Sequence, residues 1–387
     1  VVTAALGQGS LELAREYIYE ATVAEPRGLA DLFVRLAFFI SVQEYNSAAE
    51  TFRAAKDLDW QKVKLLRILH AIVANRQRLH HAANAEIDAL LDEDLTDEER
   101  VVLVSFKISG LLHESLFADA VTVFEAAKRP LAAASNYPYL LRNGAAVYLW
   151  ANPPDHSQAE ALLLKAAELF KREKDWFGYY TSLSNKGVID AYRGRSNEAC
   201  SLFAKCFSHL SVFGVHHLEE VGFNLVVSLA LSGELNEAEQ RAHNLLGFFE
   251  KGNFPRLQLI PLFAFLLAVS GRWQDASLLL HDSVKEASAC RLPEARFHYF
   301  YNSFLFFSVA RQEKRLAYRL KMAGADEYLE LARDSGFVLG EEALHRLIVD
   351  LKAGNVNSGD LLSMYSFDYH QYWSQNPLSL LPVPKLA

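Results

Sequence analysis

The chain has 387 residues, of which 51% are hydrophobic and 22% charged, and its formal net charge at pH 7 is −8. This composition is typical of a globular protein and excludes a disordered one. An acidic chain without a cluster of lysine and arginine does not suit a nucleic-acid-binding protein, because binding to phosphates needs such clusters. Three cysteines exclude a disulfide-rich scaffold and favour a reducing compartment, so we expect a cytoplasmic protein.

The N-terminal part of the chain, residues 1–27, is expected to form a helical cap. Apolar residues at helical spacing run over residues 10–24 and stop near Pro26. No basic segment precedes an apolar run, so no signal peptide is expected. The two most apolar stretches, residues 257–270 and 297–310, are shorter than the roughly 20 residues that cross a membrane. We interpret both as buried helices and expect no membrane partner.

Residues 28–322 contain helical segments that repeat at intervals of 38 to 40 residues. Apolar residues recur at three- and four-residue spacing, and the alternation typical of strands is nearly absent. The repeated pattern is an asparagine or leucine followed by glycine, then by a small and a large side chain at fixed offsets. Its copies are Asn185-Gly194-Ala199-Phe203, Asn224-Gly233-Ala238-Ala242 and Leu262-Gly271-Ala276-Leu280, with a weaker one at Asn302-Arg311-Leu316. The small and large positions also recur upstream, from Ala48, Ala120 and Ala159.

This pattern predicts pairs of helices joined by a tight turn. The glycine falls where the first helix ends, and it suits a left-handed backbone because it has no Cβ. The alanine falls in the first turns of the second helix, where a small side chain lets the two helices approach closely. Each pair leaves an apolar face that only the next pair can cover. We therefore predict an all-α fold, an α-solenoid of antiparallel helix pairs.

The spacing of Gly194, Ala199 and Phe203 resembles that of the tetratricopeptide repeat, and Gly187 matches the glycine of that family's first helix. The resemblance implies a right-handed superhelix. The units are longer than the family's usual length of about 34 residues, and its first-helix tryptophan and terminal proline are mostly missing. The longer period also resembles that of the C-terminal sensor arms of signal-transducing (STAND-type) NTPases. That second resemblance implies that the chain is the ligand-sensing part of a larger regulatory protein.

Residues 323–387 are expected to cap the repeat array. Two helices are predicted over residues 323–353, separated near Gly336 and Gly340, and a last, aromatic helix over residues 361–373. The tail at 376–387 contains three prolines and is expected to be extended. Whether this tail fills the groove of the superhelix is an alternative that the sequence leaves open.

The candidate binding residues are asparagines at matching positions of successive first helices. Asn185 and Asn224 are 39 residues apart, Asn302 follows two units later, and Asn143 joins them if the loop at 151–158 is longer by two residues. Because first helices line the concave face in a superhelix of this type, we expect the side chains to form a ladder. An asparagine amide both donates and accepts, so it can pair with a peptide backbone. Kinesin light chain repeats resemble this arrangement; the alternative is that each asparagine bonds a carbonyl within the array.

Aromatic clusters lie near two of these asparagines. Tyrosine is favoured at binding surfaces because one end of its ring is apolar and the other polar. We predict that Tyr139, near Asn143, and Tyr301, beside Asn302, anchor the partner. Packing between helix pairs is the alternative interpretation of all the aromatic clusters.

The sequence contains no recognisable catalytic motif, nucleotide-binding loop or metal-binding set, and we expect no enzyme activity, cofactor or metal. His216 and Glu219 stand one helical turn apart, but no further ligand occurs near them at a metal-binding spacing. Cys200, Cys206 and Cys290 are expected to be free, buried thiols.

The predicted function is binding of another protein or an extended peptide segment on the concave face. A nucleic-acid partner is not expected, and a small-molecule effector remains a second option. The alternative function is a structural scaffold that holds a stable complex through its ends and its convex face.

Overall fold

The computed structural model describes residues 25–41, 44–151, 153–213, 218–249, 254–290, 292–316, 325–337 and 340–367. These residues form α-helices and short 3-10 turns, and none of them forms a β-strand. The chain divides into two compact units, one within residues 1–182 and one within residues 183–371. The predicted N-terminal helix at 10–24 and the tail at 376–387 lie outside the described residues.

In its described part, the first unit contains four helix pairs. Its helices are α1 (Leu29–Ser41), α2 (Tyr45–Ala54), α3 (Lys64–Arg76), α4 (His80–Leu91), α5 (Asp97–His113), α6 (Phe117–Lys128), α7 (Tyr137–Leu149) and α8 (His156–Glu173). Helix α9 (Trp176–Tyr192) begins in this unit and ends in the second. Within the unit each helix packs on the next in sequence, and α5 also packs on α3 and α7.

In the second unit, too, most successive helices pack on one another. It contains α10 (Ser196–Leu210), α11 (Glu219–Leu231), α12 (Leu235–Leu246), α13 (Phe254–Val269), α14 (Trp273–Asp282), α15 (Val284–Ala289), α16 (Pro293–Gln312), α17 (Ala325–Arg333) and α18 (Glu341–Ala353). The first helices α11, α13 and α16 pack against one another in sequence, as do the first helices of the other unit. Such stacking of successive pairs is the defining contact of a helical-repeat protein. The predicted all-α solenoid class is confirmed, while the predicted domain boundaries stay predictions.

The turns between paired helices have the backbone that the glycines predict. Gly194, Gly233 and Gly271 have φ angles of 74°, 87° and 83°, and a Cβ at any of them would meet no atom within 4 Å. Glycine is therefore favoured there by backbone conformation and not by lack of space.

Elsewhere a glycine makes room for a large side chain of a neighbouring helix. A Cβ at Gly187 on α9 would lie 2.8 Å from the ring of Phe203 on α10, and one at Gly144 on α7 would lie 2.0 Å from the ring of Phe124 on α6. Both rings are fully buried. The large residue of the repeat thus packs into a notch on the neighbouring helix, which accounts for the large position of the pattern.

The C-terminal helices follow the prediction, but the last one does not. Helices α17 and α18 are separated by the stretch that holds Gly336 and Gly340, as expected. The predicted aromatic helix over 361–373 is wrong for its described part: a 3-10 turn at Ser358–Asp360 leads into turns at 361–364 and irregular backbone at 365–367. This difference has a tertiary cause, because residues 365–367 form hydrogen bonds and ring contacts with α13 and α16.

Candidate functional site

The four predicted asparagines lie in first helices, and all four are buried. Asn143 is on α7 in the first unit, and it is 1% exposed. Asn185 on α9, Asn224 on α11 and Asn302 on α16 belong to the second unit and are at most 2% exposed. Since a buried amide needs hydrogen-bond partners, the partners decide what each asparagine can do.

Asn302 pairs with the backbone of another segment of the chain. Its Nδ2 atom donates to the carbonyl oxygen of Ser366 over 2.7 Å, and its Oδ1 atom accepts from the backbone N–H of Ser366 over 2.8 Å. The same Nδ2 atom donates to the carbonyl oxygen of His298, one turn earlier on α16, over 2.7 Å. On the Ser366 side the two bonds use only backbone atoms, so they hold this residue without contacting its side chain.

The residues on either side of Ser366 place aromatic rings against the same unit. The Tyr365 ring packs edge-on against Phe265 at 5.8 Å between centroids, and its hydroxyl donates to the carbonyl oxygen of Gln258 over 2.6 Å. Phe367 stacks on Tyr365 at 5.2 Å and lies 6.5 Å from the ring of Phe223. The two rings, two residues apart, thus stack on each other above the same unit.

His298 contacts the side chain of Ser366, the central residue of the segment 365–367. Its Nδ1 atom lies 3.0 Å from the hydroxyl oxygen of Ser366. Its ring stands between aromatic neighbours, with Phe254 at 6.3 Å and Phe337 at 6.0 Å between centroids. The side chain that faces the His298 ring is the small one of Ser366. We call the set Phe223, Gln258, Phe265, His298 and Asn302 the Asn302 site.

The Asn302 site thus draws on the first helices of three successive pairs, α11, α13 and α16, within the second unit. Sequence reasoning found Asn302 but missed the other four residues. Gln258 takes part through its backbone carbonyl oxygen, a role that no side-chain pattern in the sequence marks. It is also fully buried.

Asn143 has a different environment. Neither its Nδ2 nor its Oδ1 atom has a hydrogen-bond partner among the described residues. Its neighbour Arg142 is fully buried, donates from Nη1 to the Thr181 hydroxyl over 2.6 Å and stands 5.1 Å from the Tyr139 ring centroid. Sequence reasoning also missed Arg142, a buried cation beside a predicted ladder position.

The two predicted tyrosine anchors pack inside their own units. Tyr139 donates its hydroxyl hydrogen to Asp175 over 2.5 Å and contacts Phe170, and burial together with that carboxylate raises its pKa. The Tyr301 ring is 7% exposed and contacts Phe297, and burial raises its pKa to about 12. Their described contacts are those of core residues, and their role in partner binding stays a prediction.

Other candidate chemistry is sparse in the part of the chain that is described. No three histidine, cysteine, aspartate or glutamate side chains there come together as metal ligands would; His216 lies outside it. Cys200, Cys206 and Cys290 are free thiols, and burial raises the pKa of Cys206 to about 12. Among the same residues, no helix combines the length and apolar character that crossing a membrane requires.

Comparison with known proteins identifies the fold. No protein-family model matches the chain, and no curated protein matches it. The apo form of the quorum sensor NprR from B. thuringiensis is similar with a TM-score of 0.54 at 14% identity, covering 87% of this chain and 94% of that one. A Rap protein complexed with competence and sporulation factor has a TM-score of 0.55 at 11% identity, covering 87% and 96%.

A third similar structure is a signal transduction ATPase with numerous domains, a STAND protein with a tetratricopeptide repeat sensor, from Pyrococcus horikoshii. Its TM-score is 0.57 at 11% identity, and the match covers 89% of this chain and 54% of that one. At such identities the likeness concerns the backbone. The chain has a tetratricopeptide-like helical-repeat fold, as its sequence predicts.

Proposed function

We propose that this chain is a peptide-binding sensor module, without enzyme activity, that holds an extended peptide at the Asn302 site. The observation that carries the proposal is the paired hydrogen bonding between the Asn302 amide and the backbone of Ser366. A side chain in this position can treat any extended peptide in the same way, because every residue except proline offers an N–H and a carbonyl group.

The burial of the site supports a receptor for a peptide more than one for a polar small molecule. Phe223, Gln258 and Phe265 are fully buried beneath the chain's own segment. An apolar floor with a few fixed polar groups is the usual composition of such a site. The contact of the site with the chain's own residue Ser366 supports a polypeptide ligand.

The similar structures support a role in sensing. One is a quorum sensor, another is a Rap protein complexed with competence and sporulation factor, and a third carries a tetratricopeptide repeat sensor within a signal transduction ATPase. We infer that binding here likewise regulates something else, in the same chain or in a partner. Three free thiols support a cytoplasmic setting for this activity.

The test is a selection of binders from a phage-displayed library of random twelve-residue peptides against the full chain. The affinity of the selected peptides is then measured by fluorescence anisotropy for the wild type, Asn302→Asp and Asn197→Asp. Asn197 is exposed in the first turn of α10, so its variant is the matched control.

We expect the selected peptides to lose at least tenfold in affinity for Asn302→Asp and to keep their affinity for Asn197→Asp. An aspartate retains the acceptor for a peptide N–H but loses the donor for its carbonyl. Selected peptides that bind all three proteins equally would place binding elsewhere and overturn the proposal.

A further inference from the structure

We propose that residues 365–367 are an internal ligand of the Asn302 site, and that its external ligand is a peptide with an aromatic, small, aromatic pattern that displaces them. This inference rests on the proposed function and adds the class of ligand and the competitor that it meets. Each of the three residues makes a different contact with the site. These contacts indicate which side chains an external peptide needs at the same positions.

The central position of the pattern must be a small residue that is not proline. The Asn302 amide takes up both backbone groups of Ser366, so a ligand residue there must keep its N–H. The Ser366 side chain points to the His298 ring at 3.0 Å, and that ring is enclosed by Phe254, Phe297 and Phe337. A large side chain would have to displace one of these rings, which close packing opposes.

The first position selects a tyrosine. The Tyr365 side chain is 6% exposed, its ring packs edge-on against Phe265, and its hydroxyl donates to the carbonyl oxygen of Gln258 over 2.6 Å. A phenylalanine would fit the ring position but would leave that interaction unmade. Sites that hydrogen-bond a buried hydroxyl discriminate against analogues that lack it.

The third position selects an aromatic ring through stacking. Phe367 stacks on Tyr365 with an angle of 12° between ring planes and also approaches Phe223. Such pairs contribute about 0.5–1.5 kcal/mol beyond the area that they bury. The pattern is therefore tyrosine, small residue, aromatic residue.

The segment competes strongly because it is tethered close to the site. The backbone N–H of Ser358 donates to Glu313 just beyond the end of α16, over 2.6 Å, and Gln312 at the end of α16 donates to the carbonyl oxygen of Leu351 on α18 over 2.9 Å. These bonds fix the start of the segment a few residues before Tyr365. A short tether gives an effective concentration on the order of millimolar, so an external peptide must outcompete it.

The experiment measures binding of a fluorescein-labelled peptide with the sequence of residues 361–368, Leu-Leu-Ser-Met-Tyr-Ser-Phe-Asp, to the full chain by anisotropy. The proteins are the wild type, Ser366→Pro, Ser363→Pro and the double variant Ser366→Pro/Asn302→Asp. Ser366→Pro removes the internal N–H that Asn302 accepts while leaving every residue of the site intact. Ser363→Pro makes the same substitution at an exposed position in the preceding turn, away from the site. Circular dichroism checks that each variant is folded.

We expect Ser366→Pro to bind the probe at least tenfold more tightly than the wild type and Ser363→Pro do, and the double variant to lose that gain. Equal affinity of all four proteins overturns the inference. So does a failure of the probe to bind Ser366→Pro when library-selected peptides still bind in an Asn302-dependent way; the proposed function then survives. If library selection on both the wild type and Ser366→Pro yields no peptide that depends on Asn302, the proposed function fails as well.

Discussion

The side-chain amide of Asn302 forms two hydrogen bonds with the backbone of Ser366, 64 residues farther along the chain. A fully buried asparagine in the middle of a helix is unfavourable unless its amide is satisfied, and here a non-helical segment satisfies it. The same bonds satisfy the Ser366 N–H and carbonyl groups, which a helix would otherwise have paired. The relationship therefore explains both a polar residue in the core and an irregular backbone at 365–367.

The first prediction concerns this pair. Asn302→Asp keeps an acceptor for the Ser366 N–H but places a carboxylate against the carbonyl oxygens of Ser366 and His298, which lose their donor. We expect the free energy of unfolding to fall by about 1–3 kcal/mol. We also expect the amide hydrogen of Ser366 to exchange at least tenfold faster, as measured by hydrogen exchange with mass spectrometry. Asn197→Asp is the control. Exchange of the Ser366 amide at the wild-type rate in Asn302→Asp would show that the pairing does not hold the segment.

The second prediction separates Asn143 from Asn302. The Asn143 amide is buried and unpaired among the described residues, so its burial carries a desolvation penalty without compensation. We expect Asn143→Leu, which is similar in size, to raise the free energy of unfolding by about 1 kcal/mol in chemical denaturation. Asn302→Leu, the same substitution at a paired asparagine, should lower it. A destabilised Asn143→Leu would mean that this amide has a structural partner.

The sequence predicts the repeat, its turns and one residue of the site. Whether a feature can be predicted depends on how far apart in the sequence the interacting residues lie. Gly194 and Ala199 act within one helix pair, so their spacing alone reveals their role. A helix is predicted over residues 361–373 because their apolar and aromatic side chains suit one locally. The Tyr365 hydroxyl bond to Gln258, 107 residues away, decides otherwise, and no local pattern encodes it. Asn302 was recognised as able to pair with a backbone, but its partner inside the chain could not be read from spacing.

The third prediction tests the turn glycines. Gly233 has a φ angle of 87°, and a Cβ there would meet nothing within 4 Å, so only the backbone conformation disfavours alanine. We expect Gly233→Ala to lower the free energy of unfolding by about 1 kcal/mol. Gly233→Asn is the comparison variant and should lose less stability, because asparagine adopts the left-handed backbone more readily than alanine does. Equal stability of the two variants would contradict the conformational explanation.

The fourth prediction concerns pH. The backbone N–H of Ser135 donates to Glu98 Oε1 over 3.1 Å, and this bond, with that of the Ser135 hydroxyl at 3.0 Å, lowers the pKa of the Glu98 carboxyl. A carboxyl whose pKa is lower in the folded state adds stability above its unfolded pKa of about 4.3, and that stability is lost as the pH falls through the folded pKa. We expect Glu98→Gln to be slightly less stable at pH 7 and to lose less stability on acidification from pH 5 to pH 3. If chemical denaturation shows the same pH dependence of stability for Glu98→Gln and the wild type, the Glu98 carboxyl does not make this contribution.

The fifth prediction tests the notch between α6 and α7. A Cβ at Gly144 would lie 2.0 to 2.5 Å from three carbon atoms of the buried Phe124 ring. Alanine favours a helix over glycine by roughly 0.5–1 kcal/mol, but overpacking a core costs about 1–3 kcal/mol. Because the overlap is with a buried ring, we expect the packing cost to win and Gly144→Ala to lower the free energy of unfolding by about 2 kcal/mol.

Phe124→Leu alone should also destabilise, by leaving a cavity. The double variant should lose clearly less than the two single losses combined, because the smaller side chain gives the new methyl group room. Losses that simply add in a double-mutant cycle of denaturation midpoints would show that Gly144 and Phe124 do not share this space.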